Sequence, residues 1–304
     1  MNFILGMLGS MPGAISQGLV WGLMAIGVYI TFKILDIADL TVDGSICTGA
    51  AVCAVLTING VPVGLSMCCA FLAGMLTGIV TGLFHTKLGI PPILSGILTQ
   101  LILWSVNLKI MGKANVSVSS RTYEVLLSSM DNTWAIIILA IFGIALIVAL
   151  YWFFGTEFGC SLRSTGCNLA MSRAQGINTN YTTVVGLALS NGIVALSGAL
   201  LAQYQGFADI NMGRGAIVIG LAAVIIGEAV FSFAKNFALR LLGVLVGGII
   251  YYVVYQVVIY LGLDTDLLKM LSALVVALFL GIPYLKKRYL RRPKRKGVKT
   301  NAGN

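Results

Sequence analysis

The chain has 304 residues, 58% of them hydrophobic and 10% charged, with a mean hydropathy of +0.96; soluble domains carry about 25% charge, so this is an integral membrane protein. At about 20 apolar residues per crossing, the length holds one all-α, polytopic transmembrane helical bundle of about eight to ten spans. That leaves no room for a nucleotide-binding domain, and no Gly-x-x-x-x-Gly-Lys-Ser/Thr phosphate loop occurs.

The formal net charge of +10 gathers mainly after the last apolar run, at Lys286, Lys287, Arg288, Arg291, Arg292, Lys294, Arg295, Lys296 and Lys299. The chain therefore divides into a membrane domain over 1–285 and a basic tail over 286–304. The tail reads as cytoplasmic, beside anionic headgroups. With Tyr289 as its only aromatic, it points away from nucleic acid as a partner. The six cysteines lack metal-ligand spacing and read as small core residues.

Residues 1–12 are apolar without a basic n-region, so they suggest an interfacial helix or a ragged lead and not a signal peptide. The first full span covers 14–35, where Gly18, Gly22 and Gly27 allow close helix approach. In the next stretch, KILDIADLTVDGS over 33–45, three acids stand between apolar segments: Asp36, Asp39 and Asp43. The following run, 46–58, is short for a crossing, and the pattern fits a broken or re-entrant helix buried in protein or lining a wet cavity. Asp43 is then expected as the N-cap of the second half-helix, with the N–H groups beyond it open to a polar ligand. In the competing reading all three acids occupy an aqueous loop and Lys33 partners Asp36. The loop suits Asp36 and Asp39 better, the membrane site suits Asp43.

Spans over 63–84 and 92–111 follow, joined at His85, the only histidine, which reads as a loop residue because no second imidazole exists for a metal. Pro91-Pro92 opens the second of these helices. Its Ser95, Thr99, Gln100 and Asn107 either line a conduit or hydrogen-bond between helices. The polar connection over 113–133, with Arg121, Glu124 and Asp131, reads as an outer loop, and Trp134 and Trp152 anchor the ends of the span over 134–154.

The longest polar island is 156–181, TEFGCSLRSTGCNLAMSRAQGINTNY, whose Arg163 and Arg173 place it on the cytoplasmic side. Within it, 167–175 reads as a short helix. Asn168, Ser172 and Gln175 face water, Leu169, Ala170, Met171 and Ala174 form an apolar side, and Gly176 stops the helix. Such a helix is built to dock something, or else the loop is merely solvated and its arginines fix topology.

Four further spans are expected over 182–203, 213–231, 239–261 and 267–285. Counting back from the tail puts 262–266 outside, 232–238 with Lys235 inside, 204–212 outside and 156–181 inside, so both basic regions share one side. Gly192, Ser197, Gly198 and Ala199 favour tight crossings. Asp209 is expected to pair with Arg214, and Glu228 to snorkel or pair near Lys235.

Taken together, LRSTGCNLAMSRAQGINTN, then SGALLAQYQGFADINMGRGAIVIGLAAVIIG, and the early DLTVDGS resemble the permeases of bacterial ABC importers in the branched-chain amino acid and ribose permease superfamily. The nearest in style are single-permease systems with lipoprotein receptors assigned to tryptophan or tyrosine import. The resemblance implies a type II importer-like core in a bacterial inner membrane, with two permease copies, two cytoplasmic ATP-binding cassette ATPases and an extracytoplasmic solute-binding lipoprotein. It implies no enzyme activity and no cofactor on this chain, ATP and Mg²⁺ belonging to the ATPase.

On this resemblance Arg163, Cys167, Asn168, Met171, Arg173, Gly176, Ile177 and Asn178 couple to the ATPase, while Asp43, Gly44, Ser45 and Gln100 line the path of a small polar solute. Ribose permeases carry Gly-Ser after a Leu-Ser-Val triplet; here Thr41-Val42-Asp43-Gly44-Ser45 adds an acid, which suits an ammonium-bearing solute such as an amino acid. The rival classes are a secondary transporter or channel working without an ATPase and a membrane scaffold that transports nothing.

Overall fold

The computed structural model describes residues 2–119, 123, 125–232 and 236–260, with side chains from residue 9 onward, together with four isolated helical positions at 270, 274, 277 and 281. The expected span over 267–285, the outer loop 262–266, Lys235, Arg121, Glu124 and the basic tail lie otherwise outside the described residues.

The elements run α1 (Asn2–Tyr29, ending in a π turn, Ile30–Ile34), α2 (Val42–Ile58), α3 (Val63–Thr86), α4 (Pro92–Met111), β1 (Asn115–Ser117) and α5 (Asn132–Gly155). After these come α6 (Glu157–Cys167), α7 (Leu169–Ala174), α8 (Thr179–Gln205), β2 (Phe207–Asp209), α9 (Ala216–Val230) and α10 (Phe237–Tyr260). Among the described residues six stretches are long and apolar enough to cross a membrane, at 9–34 and in α3, α4, α5, α8 and α10, while α2 and α9 are shorter apolar helices. The expected all-α polytopic bundle is what the chain builds.

α8 runs through the middle and packs on α1, α2 and α3. Small residues make this possible, because helices in lipid associate through close van der Waals contact and not through a hydrophobic driving force. A Cβ added at Gly49 of α2 would overlap the Ala195 carbonyl of α8, and one at Gly198 of α8 would overlap the Ile46 carbonyl of α2. Two hydroxyls reinforce the α8–α1 contact: Ser190 donates to the Gly27 carbonyl at 2.8 Å and Ser197 to the Val20 carbonyl at 2.7 Å. At the periphery α5 leaves Ile137, Ile141, Ile144 and Val148 exposed, which suits a flank against lipid.

β1 and β2 pair antiparallel, Val116 opposite Ala208. The two connections expected on one face are thus hydrogen-bonded to each other, at the end of the bundle opposite the Arg-bearing loop. At that other end Glu228 is ion-paired as expected, with Lys33 at 2.9 Å, so Lys33 does not partner Asp36 as in the competing reading. The π turn ends before Asp36, whose backbone is left-handed with φ 56°, so a helical i, i+3 contact with Lys33 never forms. Asp209 does not pair with Arg214 either. Its carboxylate instead accepts from the Asn211 N–H at 2.7 Å and the Asn115 amide at 3.3 Å. His85 closes its loop, Nδ1 lying 2.9 Å from the Ile90 carbonyl oxygen.

Candidate functional site

Between the π turn and α2 the chain is irregular for a few residues, and their polar atoms are satisfied inside the protein. Asp39, 2% exposed, accepts from the Thr41 N–H at 2.9 Å and from Asn191 Nδ2 at 2.7 Å. Asn191 Oδ1 in turn accepts from Ser45 Oγ at 2.6 Å, and Ser45 shares a 2.7 Å hydrogen bond with Thr77. Thr41 meets Thr81 at 2.7 Å, and Thr81 donates to Thr99 at 3.0 Å. At 1.5 Å per residue, Asn191 stands about 18 Å along α8 from Thr179 and about 21 Å from Gln205, so this network sits at membrane depth. Irregular backbone survives there only when enclosed by protein. Asp39 therefore belongs to the core and not to an aqueous loop.

Asp43 does not cap its own helix. Thr41 precedes the first helical residue, and the Gly44 and Ser45 N–H groups both donate to its carbonyl at 2.9 Å, so they are not open to a ligand. Asp43 is instead the second residue of α2, and its carboxylate crosses to α9, accepting from Gly215 N–H at 3.0 Å and Ile217 N–H at 2.9 Å. Gly215 brings no side chain to the start of α9. The acid of one short helix thus supplies the cap of the other, where the helix dipole favours negative charge.

Beside this contact lies a cavity of about 150 Å³, lined by Asp43, Gly44, Cys47, Gln100, Leu101, Trp104, Asn107, Ile210 and Arg214. Gly44 lets α4 come close, since a Cβ there would meet Leu103 Cδ1 at 2.8 Å. Of the four expected path residues, Asp43, Gly44 and Gln100 are brought together, and Ser45 is turned away into the α3–α8 network. Trp104, Cys47, Ile210 and Arg214 were not anticipated as a group. A signal was available on α4, because 100, 104 and 107 share one helical face. The contribution of the 210–214 turn had none.

The Arg-bearing loop folds as two helices. α6 is held from within: Leu162 is fully buried, Thr165 bonds Thr182 at 2.9 Å, and a Cβ at Gly166 would overlap the Ile34 carbonyl. Arg163, expected to face a partner, lies with its guanidinium 4.4 Å from the Phe237 ring centroid and 5.2 Å from that of Phe154. It also lines a cavity of about 310 Å³ with Lys33, Cys167 and Arg240. Cys167 ends α6 and is not part of the short helix.

α7 is rigid for its length. The Asn168 side chain caps it by accepting from Met171 N–H at 3.0 Å. Gly176, φ 83°, ends it with a reciprocal pair, Gly176 N–H to Arg173 O at 3.0 Å and Ile177 N–H to Ser172 O at 3.1 Å. Asn178 then caps α8 through Tyr181 N–H at 3.2 Å, and Arg173 Nε donates to Thr179 at 2.8 Å. The facing differs from expectation at one position. Ser172 is fully buried because Ser164 of α6 meets it at 2.7 Å, while Leu169 and Met171 are 51% and 59% exposed.

A family model described as "Branched-chain amino acid transport system / permease component" matches residues 7–282. A tyrosine transport system permease protein of Clostridioides difficile is 39% identical over 277 residues, 89% of this chain and 91% of that protein. An uncharacterised protein of Rickettsia prowazekii is 33% identical over 282 residues, 91% of this chain and 98% of its own length. An autoinducer 2 import system permease protein of Yersinia pestis is 29% identical over 213 residues, 67% of this chain and 58% of that protein. No solved structure matches at a significant level.

Proposed function

Because the chain belongs to the permease family of branched-chain amino acid transport systems, we propose that it is the membrane-spanning subunit of an ATP-driven, binding-protein-dependent importer whose solute is an amino acid. The observation that carries this reading is α7: capped at both ends and pinned through Ser172 and Arg173, it holds Leu169 and Met171 out of the membrane domain with nothing among the described residues to cover them. A rigid apolar knob beside Arg-bearing backbone is what a soluble ATPase needs to grip. Asn168, Met171, Arg173, Gly176, Ile177 and Asn178 form or brace that grip, and Arg163 and Cys167 sit beside it on α6.

The solute crosses beside Asp43, Gly44 and Gln100, delivered by a lipoprotein receptor, with a second copy of this chain completing the path. ATP and Mg²⁺ bind the ATPase, in the cytoplasm with α7 and the basic tail. The tyrosine transport name of the Clostridioides relative supports an amino acid.

The test is to co-express the chain with its genomic neighbours, purify it by a tag, and assay binding-protein-stimulated ATP hydrolysis in liposomes. Stable copurification of an ATPase, lost in the Leu169→Glu plus Met171→Glu variant, is the expected result. A lone protein that carries solute without ATP would overturn the reading in favour of a secondary transporter.

A further inference from the structure

The cavity of about 310 Å³ at the Arg-bearing end of the bundle lies where the π turn after α1, the end of α6 and the start of α10 meet, and Lys33, Arg163 and Arg240 line it. At Arg240 it adjoins a second cavity of about 250 Å³, which holds Glu228. Three cations against this one carboxylate leave the joint lining with a surplus of two positive charges. Glu228 is drawn to Lys33, at 2.9 Å. The Arg163 guanidinium lies over the rings of Phe237 and Phe154 and makes no hydrogen bond or ion pair among the described residues. A ring face attracts the charge but leaves the N–H donors for an oxyanion. Phe237 is also the first residue of α10, so the cavity opens on the positive end of that helix dipole.

Two guanidiniums, an ammonium and a helix N-terminus favour a compact group with several anionic oxygens, and the guanidinium fork fits phosphate in a bidentate way. The position says where such a phosphate comes from. Lys33 stands at the end of the apolar stretch 9–34 and Arg240 in the first turn of α10, two of the stretches long enough to cross a membrane. The cavity is therefore at the level of the lipid headgroups, where basic pockets between membrane helices take anionic lipids. Leu239, next to Arg240, and Val230, two residues from Glu228, are 41% and 48% exposed and offer an apolar approach for acyl chains.

We propose that this cavity binds the phosphate of an anionic phospholipid from the leaflet adjoining α6. Arg163 and Arg240 hold the phosphate between them, Lys33 adds its charge from the side, and the acyl chains run along Leu239 and Val230. The lipid thereby joins α6, which leads into α7, to α10.

The test titrates the purified full chain in detergent with phosphatidylglycerol and, separately, with phosphatidylcholine, and counts bound lipid by native mass spectrometry. One phosphatidylglycerol per chain is expected to bind saturably, with no phosphatidylcholine at the same concentration. Arg163→Gln and Arg240→Gln each raise the half-saturating concentration about tenfold, the effect of losing one charged contact. Lys87→Gln, which removes a cation at the end of α3 and outside this lining, leaves it unchanged. Because Arg240 is exposed, its variant reads the site even where Arg163→Gln loses too much stability to purify. Equal binding of the two lipids, unchanged binding in the arginine variants, or an equal loss in Lys87→Gln overturns the site. In a second arm inorganic phosphate and glycerol 3-phosphate compete with phosphatidylglycerol. Neither displaces it at equal concentration if the ligand is the lipid; displacement by either assigns the cavity to a soluble phosphate and overturns the lipid.

Discussion

Replacing Asp43 by alanine removes both acceptors at the N-terminus of α9. The Gly215 and Ile217 N–H groups, bonded to the carboxylate at 3.0 and 2.9 Å, are left with no side chain to replace it, since Gly215 is itself the cap residue. A hydrogen bond to a charged group contributes about 1.5–3 kcal/mol net. The Gly215 bond is exposed and the Ile217 bond only partly buried, so the lower end applies and the pair is worth ~3 kcal/mol. In a large chain about 2 °C accompanies each kcal/mol, giving a fall of ~6 °C in Tm. Asp43→Asn keeps one acceptor oxygen but turns an amide N–H toward the second donor, so about half the loss is expected. The assay is thermal unfolding of the detergent-purified protein followed by size-exclusion chromatography, with uptake measured in parallel. An Asp43→Ala protein that melts within about 1 °C of the wild type yet fails in uptake would refute the cap and leave Asp43 acting on solute alone.

Asn191→Leu takes from buried Asp39 its side-chain donor and from Ser45 its acceptor. Leaving each of these buried polar groups unsatisfied costs about 1–3 kcal/mol, so monodisperse yield should fall, and Asp39→Asn in the same chain should restore part of it. Arg163→Gln loses a cation–π contact worth about 0.5–2 kcal/mol, lowering Tm while an ATPase still copurifies. Gly166→Val forces α6 away from the Ile34 carbonyl, and the expected phenotype is ATP hydrolysis with less solute moved per turnover; equal reduction of both would make Gly166 a stability position only.

The spans were legible because hydropathy is local. Residues 92–111 were read to the residue, and α3 only overran its expected end by two. The helix break was legible too, from acids standing between apolar runs. What those acids touch was not. Asp39 meets a partner 152 positions away, and the Asp43 carboxylate accepts from N–H groups 172 and 174 positions away, distances over which period and composition carry no information. α7 was legible at its end, where Gly176 acts through its own backbone, but not at its start, which the Asn168 side chain caps two residues later than expected, and its six residues are too few to fix a facing. That was decided by Ser164 in the neighbouring helix. The contact of Arg163 with Phe237 of α10 was hidden for the same reason.

These partners place α7 and the cavity beside Asp43 on one continuous stretch of packing. Gly166 brings α6 against the Ile34 carbonyl, and Leu35 in turn packs on Gly186 of α8, so α6 and the end of α1 sit together where the irregular segment begins. That segment is tied down by side chains: Asp39 to Asn191 of α8, then Asp43 to the start of α9. A helix interior bends only by breaking its main-chain ladder, whereas a segment held by two carboxylates needs only those bonds to shift, as hinges at element ends do. A displacement of α7 would therefore meet its first yielding point at residues 36–43, one wall of which is the cavity itself. Adjacency alone is not coupling. The ratio of solute moved to ATP hydrolysed in Gly166→Val is the quantity that turns the one into the other, because it changes only if the contact at Ile34 transmits the stroke.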